Sequence, residues 1–340
     1  MTWIRLPGMQ AGMPRVHPSV ALRESERTTP IIPACEHIAG RERFMRKALA
    51  LQESSPVAFD VTLDLEDGAP LGREAEQARL VQEILMDLPV DRPHRVGVRV
   101  HDVMHPHFFS DLETGLLRAG QRVSYVVLPK AKNRGEVEYF TSVLHDVAKI
   151  AGQPPWRIHV LVESQRALQD VVAIAGHPEV ETLDFGAMDF ISDHGGAISE
   201  SCMRSPDQFE HALLRRAKTQ VVSASLLFGV VPVHNVTVDV DRPEQAGKDA
   251  ARARREFGFL RMWSIHPDQI EPIVTAMAPE DREVERAVEV LLAAQDKDWA
   301  PVRHEGLLQD RASYRLHWAV LQRAHLAGRN LTDDIRSRLL

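Results

Sequence analysis

The sequence contains few cysteines. Only Cys35 and Cys202 occur among the 340 residues, and they do not form a Cys-x-x-Cys spacing. Two cysteines are too few for a disulfide framework, which favours a reducing compartment. No apolar run approaches the length of a membrane span, and the first residues lack the apolar core and cleavage pattern of a signal peptide. We therefore expect a soluble, cytoplasmic protein without a membrane partner.

An excess of basic charge is also missing. The formal net charge is −7, so the chain has no broad positive field for nucleic acid, although a local basic pocket for a phosphorylated ligand is compatible with it. We found no internal repeat and no low-complexity segment. The 44% hydrophobic content is enough for the core of one large α/β domain or two smaller domains.

From Thr29 onward, short apolar runs alternate with amphipathic segments. The runs that predict strands are TPIIPA (29–34), FDVTLDL (59–65), RVGVRV (95–100), SYVVLPK (124–130), RIHVLVES (157–164), VETLDFG (180–186), SLLFGVV (225–231) and LRMWSI (260–265). The segments that predict helices are 41–53, 73–87, 107–118, 135–150, 166–176, 206–220, 243–257 and 268–277. Eight such alternations predict a (β/α)₈ TIM barrel. A doubly wound open sheet is the alternative, but no GxGxxG follows the first strand.

Three parts are predicted along the chain. Residues 1–28, with three prolines and two glycines, predict an N-terminal arm without periodicity. Residues 29–279 form the predicted barrel and catalytic domain. Residues 280–340 form a C-terminal helical extension or lid, with helices expected at 281–296 and 311–327. These helices exceed what a barrel needs, so we expect them to pack outside it or to reach a neighbouring subunit.

Two carboxylates carry most of the functional signal. Glu163 ends one predicted strand, and Asp189 follows the next one along the chain. Because the carboxyl ends of parallel strands meet at one rim of a barrel, these side chains are expected to lie together. Two hard oxygen ligands at one rim suit a Mg²⁺ ion that keeps positions open for substrate.

The two-residue period of a strand separates its inward and outward faces. Apolar alternate positions are expected to face the surrounding helices, which leaves the polar ones facing the barrel axis. The residues predicted to face inward are Asp60, Thr62, Asp64, Glu66, Gly97, Arg99, His101, His159, Leu161 and Glu163. An inward arginine at a strand end needs an acidic partner.

Charged residues recur at the ends of five consecutive strands. A single acid or arginine just beyond a strand is more often solvated or salt-bridged than catalytic. The chance that such residues follow five consecutive strands at one rim by coincidence is much smaller. The rim set consists of Asp64, Glu66, Asp67, Arg99, Lys130, Glu163 and Asp189. Lys130 is its weakest member, because a lysine after Leu-Pro can simply pair with a neighbouring carboxylate.

Three further motifs have a functional and a structural interpretation. The spacing of His101, His105 and His107 is compatible with zinc, but no cysteine or HExxH helix accompanies it, so hydrogen-bonding loop histidines are favoured. Gly195-Gly196 could let the backbone approach a ligand closely, but a tight turn explains the two glycines equally well. His266-Pro267 most simply ends the eighth strand and begins the next helix.

The chain resembles a known family in an ordered set of motifs. DLEDGAP, VRV around Arg99, LPKAK, LVES, DFGAMDF, REFGF and SIHPDQI occur in the order of the citrate lyase beta-subunit-like lyases of the HpcH/HpaI aldolase superfamily. The resemblance spans about residues 30–325, and GLLQDRASYRLHWAV is similar to the family's C-terminal segment. It implies a lyase that cleaves or forms the C–C bond of a β-hydroxyacyl thioester such as malyl-CoA, citramalyl-CoA or a citryl thioester.

The resemblance also implies roles for individual residues. Glu163 and Asp189 would bind Mg²⁺, and Arg99 would face the thioester or enolate oxygen. Glu66 and Asp67 would hold metal-bound water and nearby side chains. Asp310, supplied to a neighbouring subunit's site, would be the acid/base. The set expected to bind substrate consists of Arg99, Lys130, Gly186 and Asp189.

The chain departs from the family pattern at three places. His101 stands where the family commonly has asparagine, and Gln309 stands where an isoleucine precedes the C-terminal aspartate. The strand-7 Ala-Ile-Asp pattern becomes Pro232-Val233-His234. The metal pair is intact, so these departures concern the substrate and the geometry of acid/base catalysis.

Several functional alternatives fit the same residues. A Mg²⁺-dependent aldolase for 4-hydroxy-2-oxo acids would use the same metal pair, a hydrolase would cleave a malyl-type thioester, and a non-catalytic subunit would only bind its ligand. The thioester carrier is CoA or an acyl carrier protein. One helix carries a basic stretch, which is better explained as a solvated helix face than as a phosphate contact. It consists of Arg41, Arg43, Arg46 and Lys47. The resemblance implies a homo-oligomer, a trimer or a hexamer.

Overall fold

The computed structural model describes residues 15–23 and 28–340. The remainder of the predicted arm, 1–14 and 24–27, lies outside the described residues. The described chain divides into two compact units, one made of residues 28–278 and the other of 15–23 with 279–340. In the part of the chain that is described, no helix is both long and apolar enough to cross a membrane.

The first unit is a closed barrel of eight parallel strands in sequential order, in which β1 pairs with both β2 and β8. The strands are β1 Cys35–Ala39, β2 Asp60–Asp64, β3 Val96–Arg99, β4 Tyr125–Leu128, β5 Arg157–Val162, β6 Val180–Phe185, β7 Val231–His234 and β8 Arg261–Ser264. Helices alternate with these strands, so the predicted (β/α)₈ TIM barrel is confirmed.

The helices of this unit include several short or irregular ones. The α-helices are Glu42–Ser54, Glu74–Met86, Phe108–Ser110, Arg134–Ala151, Gln165–Gln169, Val171–Ala175, Ala187–Ser192, Asp207–Glu210, Ala212–Leu227, Pro243–Arg252 and Ile270–Met277. The π-helical segments are Asp111–Leu116 and Ala253–Phe257, and the 3₁₀ segments are Gly120–Arg122, Glu200–Met203 and Pro267–Gln269. The helix expected at 166–176 is divided at Asp170, and Ala187–Ser192 was not predicted.

Two strand predictions were wrong. The run 29–34 lies before β1, because Pro30 and Pro33 lack the N–H groups that a strand pair needs, and Cys35–Ala39 forms the ladder with β2 and β8. The run 225–231 mostly lies before β7. Helix Ala212–Leu227 continues through its first residues, and Gly229 turns the chain with a positive φ of 63°.

The barrel interior is polar at the amino ends of the strands. Arg261 contacts Glu36 at 2.7 Å and Asp60 at 2.7 Å, and His159 on the opposite strand lies 3.2 Å from Glu36. Thr62 donates to Glu36, and its hydroxyl lies 2.9 Å from that of Tyr125. These contacts cross the barrel, so the predicted inward orientation of alternate residues on β2 and β5 is confirmed.

The second unit contains helices Pro18–Ala21, Asp281–Gln295, Arg311–Leu326 and Asp333–Leu339. It also contains an antiparallel hairpin of β9 Val302–His304 and β10 Leu307–Gln309, which was not predicted. Trp299 and Tyr314 pack edge to face in its buried core, and the Tyr314 hydroxyl donates to the backbone carbonyls of Ala300 and Gln309. The unit therefore has its own hydrophobic core.

Candidate active site

The loops at the carboxyl ends of β2 to β6 bring the predicted rim residues together. Arg99 ends β3, and its Nε and Nη2 donate to the two oxygens of Asp64 at 2.7 and 2.6 Å. Its Nη1 lies 3.1 Å from Glu66 Oε2. Burial opposes the charge, but the charges and hydrogen bonds of Asp64 outweigh it and raise the pKa of Arg99. The guanidinium is therefore permanently charged and held in one orientation.

Asp64 itself is fixed by the loop that follows β2. Its oxygens accept the backbone N–H groups of Glu66 at 3.1 Å and Gly68 at 2.8 Å. A Cβ on Gly68 would overlap Asp64 Oδ2, so this approach requires glycine. The DLEDG segment thus folds around one carboxylate, which in turn orients Arg99.

Lys130 forms ion pairs with carboxylates of the β2 loop, and its predicted contact with substrate stays a prediction. Its Nζ bonds Glu66 and both oxygens of Asp67, at 2.9 and 3.1 Å for the latter. Burial opposes its charge, but the bonds from Glu66 and Asp67 raise the pKa of Lys130. The residue adopts a positive φ of 51°, and its backbone N–H donates to Glu163 Oε2 at 2.7 Å. Its observed contacts are thus with Glu66, Asp67 and Glu163, as in the ion-pair interpretation.

Glu163 and Asp189 line the same cavity at this rim, close enough for the charge of Asp189 to act on Glu163. Burial and the negative charge of Asp189 raise the pKa of Glu163 to about 8. A Cβ on Gly186 would overlap the Glu163 side chain, which gives Gly186 a packing role in positioning that carboxylate. Glu163 Oε2 accepts the Lys130 N–H, and Oε1 lies against Gly186. A divalent cation between two such carboxylates would relieve their repulsion, so the pair fits Mg²⁺.

A cavity of about 260 Å³ opens at this rim. Arg99, Glu163 and Asp189 line it together with Asp67 and Gly186. The rest of its wall is largely apolar. The arrangement can hold a small oxygen-rich acid on a cation while Arg99 contacts a developing negative charge.

Three lining residues with polar side-chain groups were missed by the sequence prediction: Asp184, Asn235 and Trp263. Trp263 Nε1 donates to Asp184 Oδ2 at 2.8 Å, and its ring lies 5.9 Å from the Arg99 Cζ atom. Asp184 and Trp263 occupy inward positions of β6 and β8, so the two-residue period could have located them. Asn235 follows directly after β7, whose predicted position was wrong.

The histidine run does not form a zinc site in the described chain. His101 and His105 stack with parallel rings 3.9 Å apart, so their ring nitrogens do not converge on one ion. His101 Nδ1 lies 2.7 Å from Asp111 Oδ2, which also accepts the His101 backbone N–H at 2.9 Å. Burial opposes protonation, but Asp111 raises the pKa of His101. The observed arrangement is that of hydrogen-bonding loop histidines.

His234, one of the three departures from the family pattern, is buried between strand and helix. Its Nδ1 lies 3.0 Å from the Asn235 carbonyl oxygen, and its Nε2 lies 2.8 Å from Lys218 Nζ in helix Ala212–Leu227. Burial lowers the pKa of Lys218 and of His234 well below their usual values. The pair therefore joins β7 to this helix inside the protein.

The remaining candidates have simple structural positions. Gly195 and Gly196 have positive φ values of 57° and 87°, as a tight turn requires. His266 accepts the Asp268 N–H at 3.3 Å and begins a 3₁₀ segment. Asp310 is exposed and caps helix Arg311–Leu326, because its Oδ1 accepts the N–H groups of Ala312 and Ser313. Its predicted acid/base role stays a prediction.

The chain is similar to known lyases over most of its length. A model of the HpcH/HpaI aldolase/citrate lyase family matches residues 46–267. The L-malyl-CoA/beta-methylmalyl-CoA lyase of Cereibacter sphaeroides is 24% identical over 294 residues, 83% of this chain and 92% of that protein. Among solved structures, a citrate lyase from Burkholderia xenovorans is 46% identical with a TM-score of 0.80, covering 93% of this chain and 98% of the other.

A second solved structure is CitE from Mycobacterium tuberculosis in complex with magnesium and pyruvate. It is 25% identical with a TM-score of 0.58, and the match covers 74% of this chain and 92% of that one. The fold and these relatives define the chain as a carbon–carbon lyase. It belongs to the HpcH/HpaI aldolase/citrate lyase family, which confirms the resemblance seen in its motifs.

Proposed function

We propose that the protein is a Mg²⁺-dependent lyase that cleaves or forms the C–C bond of a β-hydroxyacyl-CoA thioester of the malyl, citramalyl or citryl type. The observation that carries this proposal is the buried Glu163 beside Asp189, in one cavity with an Arg99 that Asp64 and Glu66 hold in place. The malyl-CoA lyase among the relatives and the magnesium complex among the solved structures support it.

Each part of the site has a task in this reaction. Bound Mg²⁺ would neutralise and orient the hydroxy or oxo acid. Arg99 would stabilise the enolate oxygen of the thioester, since its guanidinium is charged and already oriented before the substrate arrives. Glu66 and Asp67 would hold Lys130, whose backbone N–H fixes the Glu163 carboxylate. Asp310 is the proposed acid/base, a role that comes from the resemblance.

The test is turnover of acetyl-CoA with 2-oxo acids, and of the product thioesters in reverse, with and without Mg²⁺. We expect the condensation of acetyl-CoA with a 2-oxo acid, and the reverse cleavage of the product thioester, to require Mg²⁺. Glu163→Gln should lower kcat/KM at least about 100-fold and weaken Mg²⁺ binding in calorimetry, because it removes a charged oxygen ligand. The matched control is Glu83→Gln, the same change at an exposed position of helix Glu74–Met86, which should alter neither quantity.

The same assay separates the alternatives. Condensation of pyruvate with an aldehyde in the absence of CoA would indicate the aldolase. Release of free CoA without a C–C change would indicate a thioesterase. A protein with neither Mg²⁺ affinity nor activity on any of the thioesters would be a binding subunit, and the lyase proposal would be wrong. Replacing CoA by an acyl carrier protein identifies the carrier.

A further inference from the structure

We propose that Trp263 is a positioning residue for Arg99, and that Asp184 fixes the indole ring in the orientation that this role requires. The inference rests on the proposed lyase function, in which Arg99 supplies the positive charge. It assigns a contact with the reacting atoms to neither Trp263 nor Asp184. Its basis is a chain of two contacts, from a buried carboxylate to the indole and from the indole to the guanidinium.

The hydrogen bonds of Arg99 leave one of its motions weakly restrained. Asp64 accepts from Nε and Nη2, and Glu66 lies beside Nη1. These partners act at the edge of the guanidinium, because the two parallel hydrogen bonds of an arginine–carboxylate pair lie in the plane of both groups. They therefore resist movement within that plane more strongly than a tilt out of it.

Trp263 covers a face of the same guanidinium. The Cζ atom of Arg99 lies over the indole ring, 5.9 Å from the ring centroid, and both side chains line the cavity. A cation over an aromatic face is attracted by the negative charge of that face, and the attraction grows where water is excluded. Trp263 is 6% exposed and Arg99 is 9% exposed. The contact therefore restrains the tilt that the carboxylates leave, and it fixes the direction of the remaining N–H groups of Arg99.

Asp184 selects one orientation of the indole. Trp263 Nε1 donates to Asp184 Oδ2 at 2.8 Å, and Asp184 is buried. Turning the ring over would leave a buried N–H without this acceptor, which is unfavourable. Burial and the negative charge of Glu36 raise the pKa of Asp184 to about 7. Near neutral pH a neutral acceptor is thus close to the natural state, so an amide oxygen can replace the carboxylate in this bond.

The kinetic test uses substitutions at both positions in the Mg²⁺-loaded enzyme. Trp263→Leu and Asp184→Leu should each lower kcat about tenfold, the size of a desolvated contact between a cation and an aromatic ring, with a smaller change in KM. Asp184→Asn keeps an acceptor for the indole and should recover most of the kcat that Asp184→Leu loses. The matched control is Trp156→Leu. Trp156 is equally buried and donates its indole N–H to the Gly120 carbonyl at 3.2 Å, but it lies at the amino end of β5, so this change should lower stability without lowering kcat.

A double-mutant cycle separates positioning from packing of the cavity wall. In an Arg99→Lys background the group that Trp263 orients is absent. Trp263→Leu should therefore lower kcat by less than about threefold in that background, compared with about tenfold in the wild type.

A spectroscopic measurement tests the same contacts without turnover. Protein labelled with ¹⁵N in its five tryptophans provides the indole N–H signals, and Trp263→Phe identifies the signal of Trp263. Arg99→Lys and Asp184→Leu should each shift this signal. The signal of Trp156, which contacts neither residue, is the internal reference and should not move.

Each result supports or overturns one part of the proposal. Wild-type kcat in Trp263→Leu, or equal effects of this change in both backgrounds, overturns the positioning role of Trp263. Wild-type kcat and an unshifted indole signal in Asp184→Leu overturn the role of Asp184. If a leucine variant does not fold, the response of the Trp263 signal to Arg99→Lys decides, and an unmoved signal overturns the contact. If the wild type lacks lyase turnover, the proposed function falls, whereas the indole signal still shows whether Trp263 and Arg99 are coupled.

Discussion

Arg99 shows how single residues define this site. A buried guanidinium is tolerated only because Asp64 accepts two of its N–H groups and Glu66 lies beside a third nitrogen. The three side chains therefore act as one group, in which the arginine faces the cavity and the acids fix its orientation. Changes at Arg99 are expected to affect catalysis and stability by separate routes.

Arg99→Lys keeps the charge but loses the planar pair of donors that matches Asp64. We expect kcat/KM to fall about 100-fold or more, with a smaller loss of stability. Arg99→Met leaves Asp64 buried without a cation and should reduce the free energy of unfolding by about 3–5 kcal/mol. Urea denaturation and steady-state kinetics measure the two effects. Full activity of Arg99→Lys would contradict an oriented guanidinium as the functional group.

The residues that could be predicted share one property, namely their position at the end of a strand. Glu163, Asp189 and Arg99 follow from the order of strands and the rule that barrel sites lie at the carboxyl ends. Lys130 bonds Glu66 and Asp67, which is the pairing with neighbouring carboxylates that its position after Leu-Pro suggested, and its substrate contact stays a prediction. The Asp184–Trp263 bond joins residues 79 positions apart and has no local signature.

At the level of elements, the strands of the barrel enclose a layer of polar side chains. His159 lies between Glu36 at 3.2 Å and Glu181 at 3.0 Å. Burial opposes protonation, but the charge of Glu36 and the hydrogen bond to Glu181 raise the pKa of His159 to about 9. Glu36 and Glu181 have lowered pKa values, that of Glu36 about 2, despite their burial. A protonated imidazole thus joins opposite sides of the barrel.

This layer gives stability a defined dependence on pH. Because the folded pKa of His159 lies above the unfolded value of 6.5, its charge stabilises the fold below about pH 6.5, and the contribution is lost as pH rises toward 9. At about 1.4 kcal/mol per pKa unit, the effect amounts to a few kcal/mol at most. His159→Gln should remove this slope in urea denaturation between pH 6.5 and 9, whereas exposed His145→Gln should keep it. If the free energy of unfolding changed with pH in the same way for wild type and His159→Gln, His159 would not be the cause of the pH dependence.

At the level of elements, the errors have physical causes. The run 29–34 has strand-like composition, but its two prolines cannot donate to a ladder, so β1 begins at Cys35. The run 225–231 combines the end of a helix, a turn at Gly229 and the start of β7. Periodicity gave the number of strand–helix units because the helices are amphipathic, but it misplaced two strands and could not place boundaries inside uninterrupted apolar segments.

On the scale of the whole molecule, the chain contains two compact units, and the candidate residues are divided between them. Glu163, Asp189 and Arg99 belong to the barrel unit, and Asp310 belongs to the C-terminal unit. The hairpin of β9 and β10 that leads to Asp310 was not predicted, because its strands are only three residues long. Asp310 caps the helix that follows it, which fixes the carboxylate locally and leaves it exposed.

The resemblance predicts that Asp310 completes the site of a neighbouring subunit, and two inactive variants can test this. Glu163→Gln lacks the proposed metal ligand but keeps Asp310, and Asp310→Ala lacks the proposed acid/base but keeps Glu163. Each variant should therefore be inactive alone. In a mixed homo-oligomer, about a quarter of the sites would combine intact Glu163 from one chain with intact Asp310 from another. Co-refolding or co-expression of the two variants should therefore restore a corresponding part of wild-type turnover. Co-expression of Glu163→Gln with Asp189→Asn is the control, because both lesions lie in the same barrel site. Failure to restore activity in confirmed mixed oligomers would place Asp310 in its own chain's site or outside the mechanism.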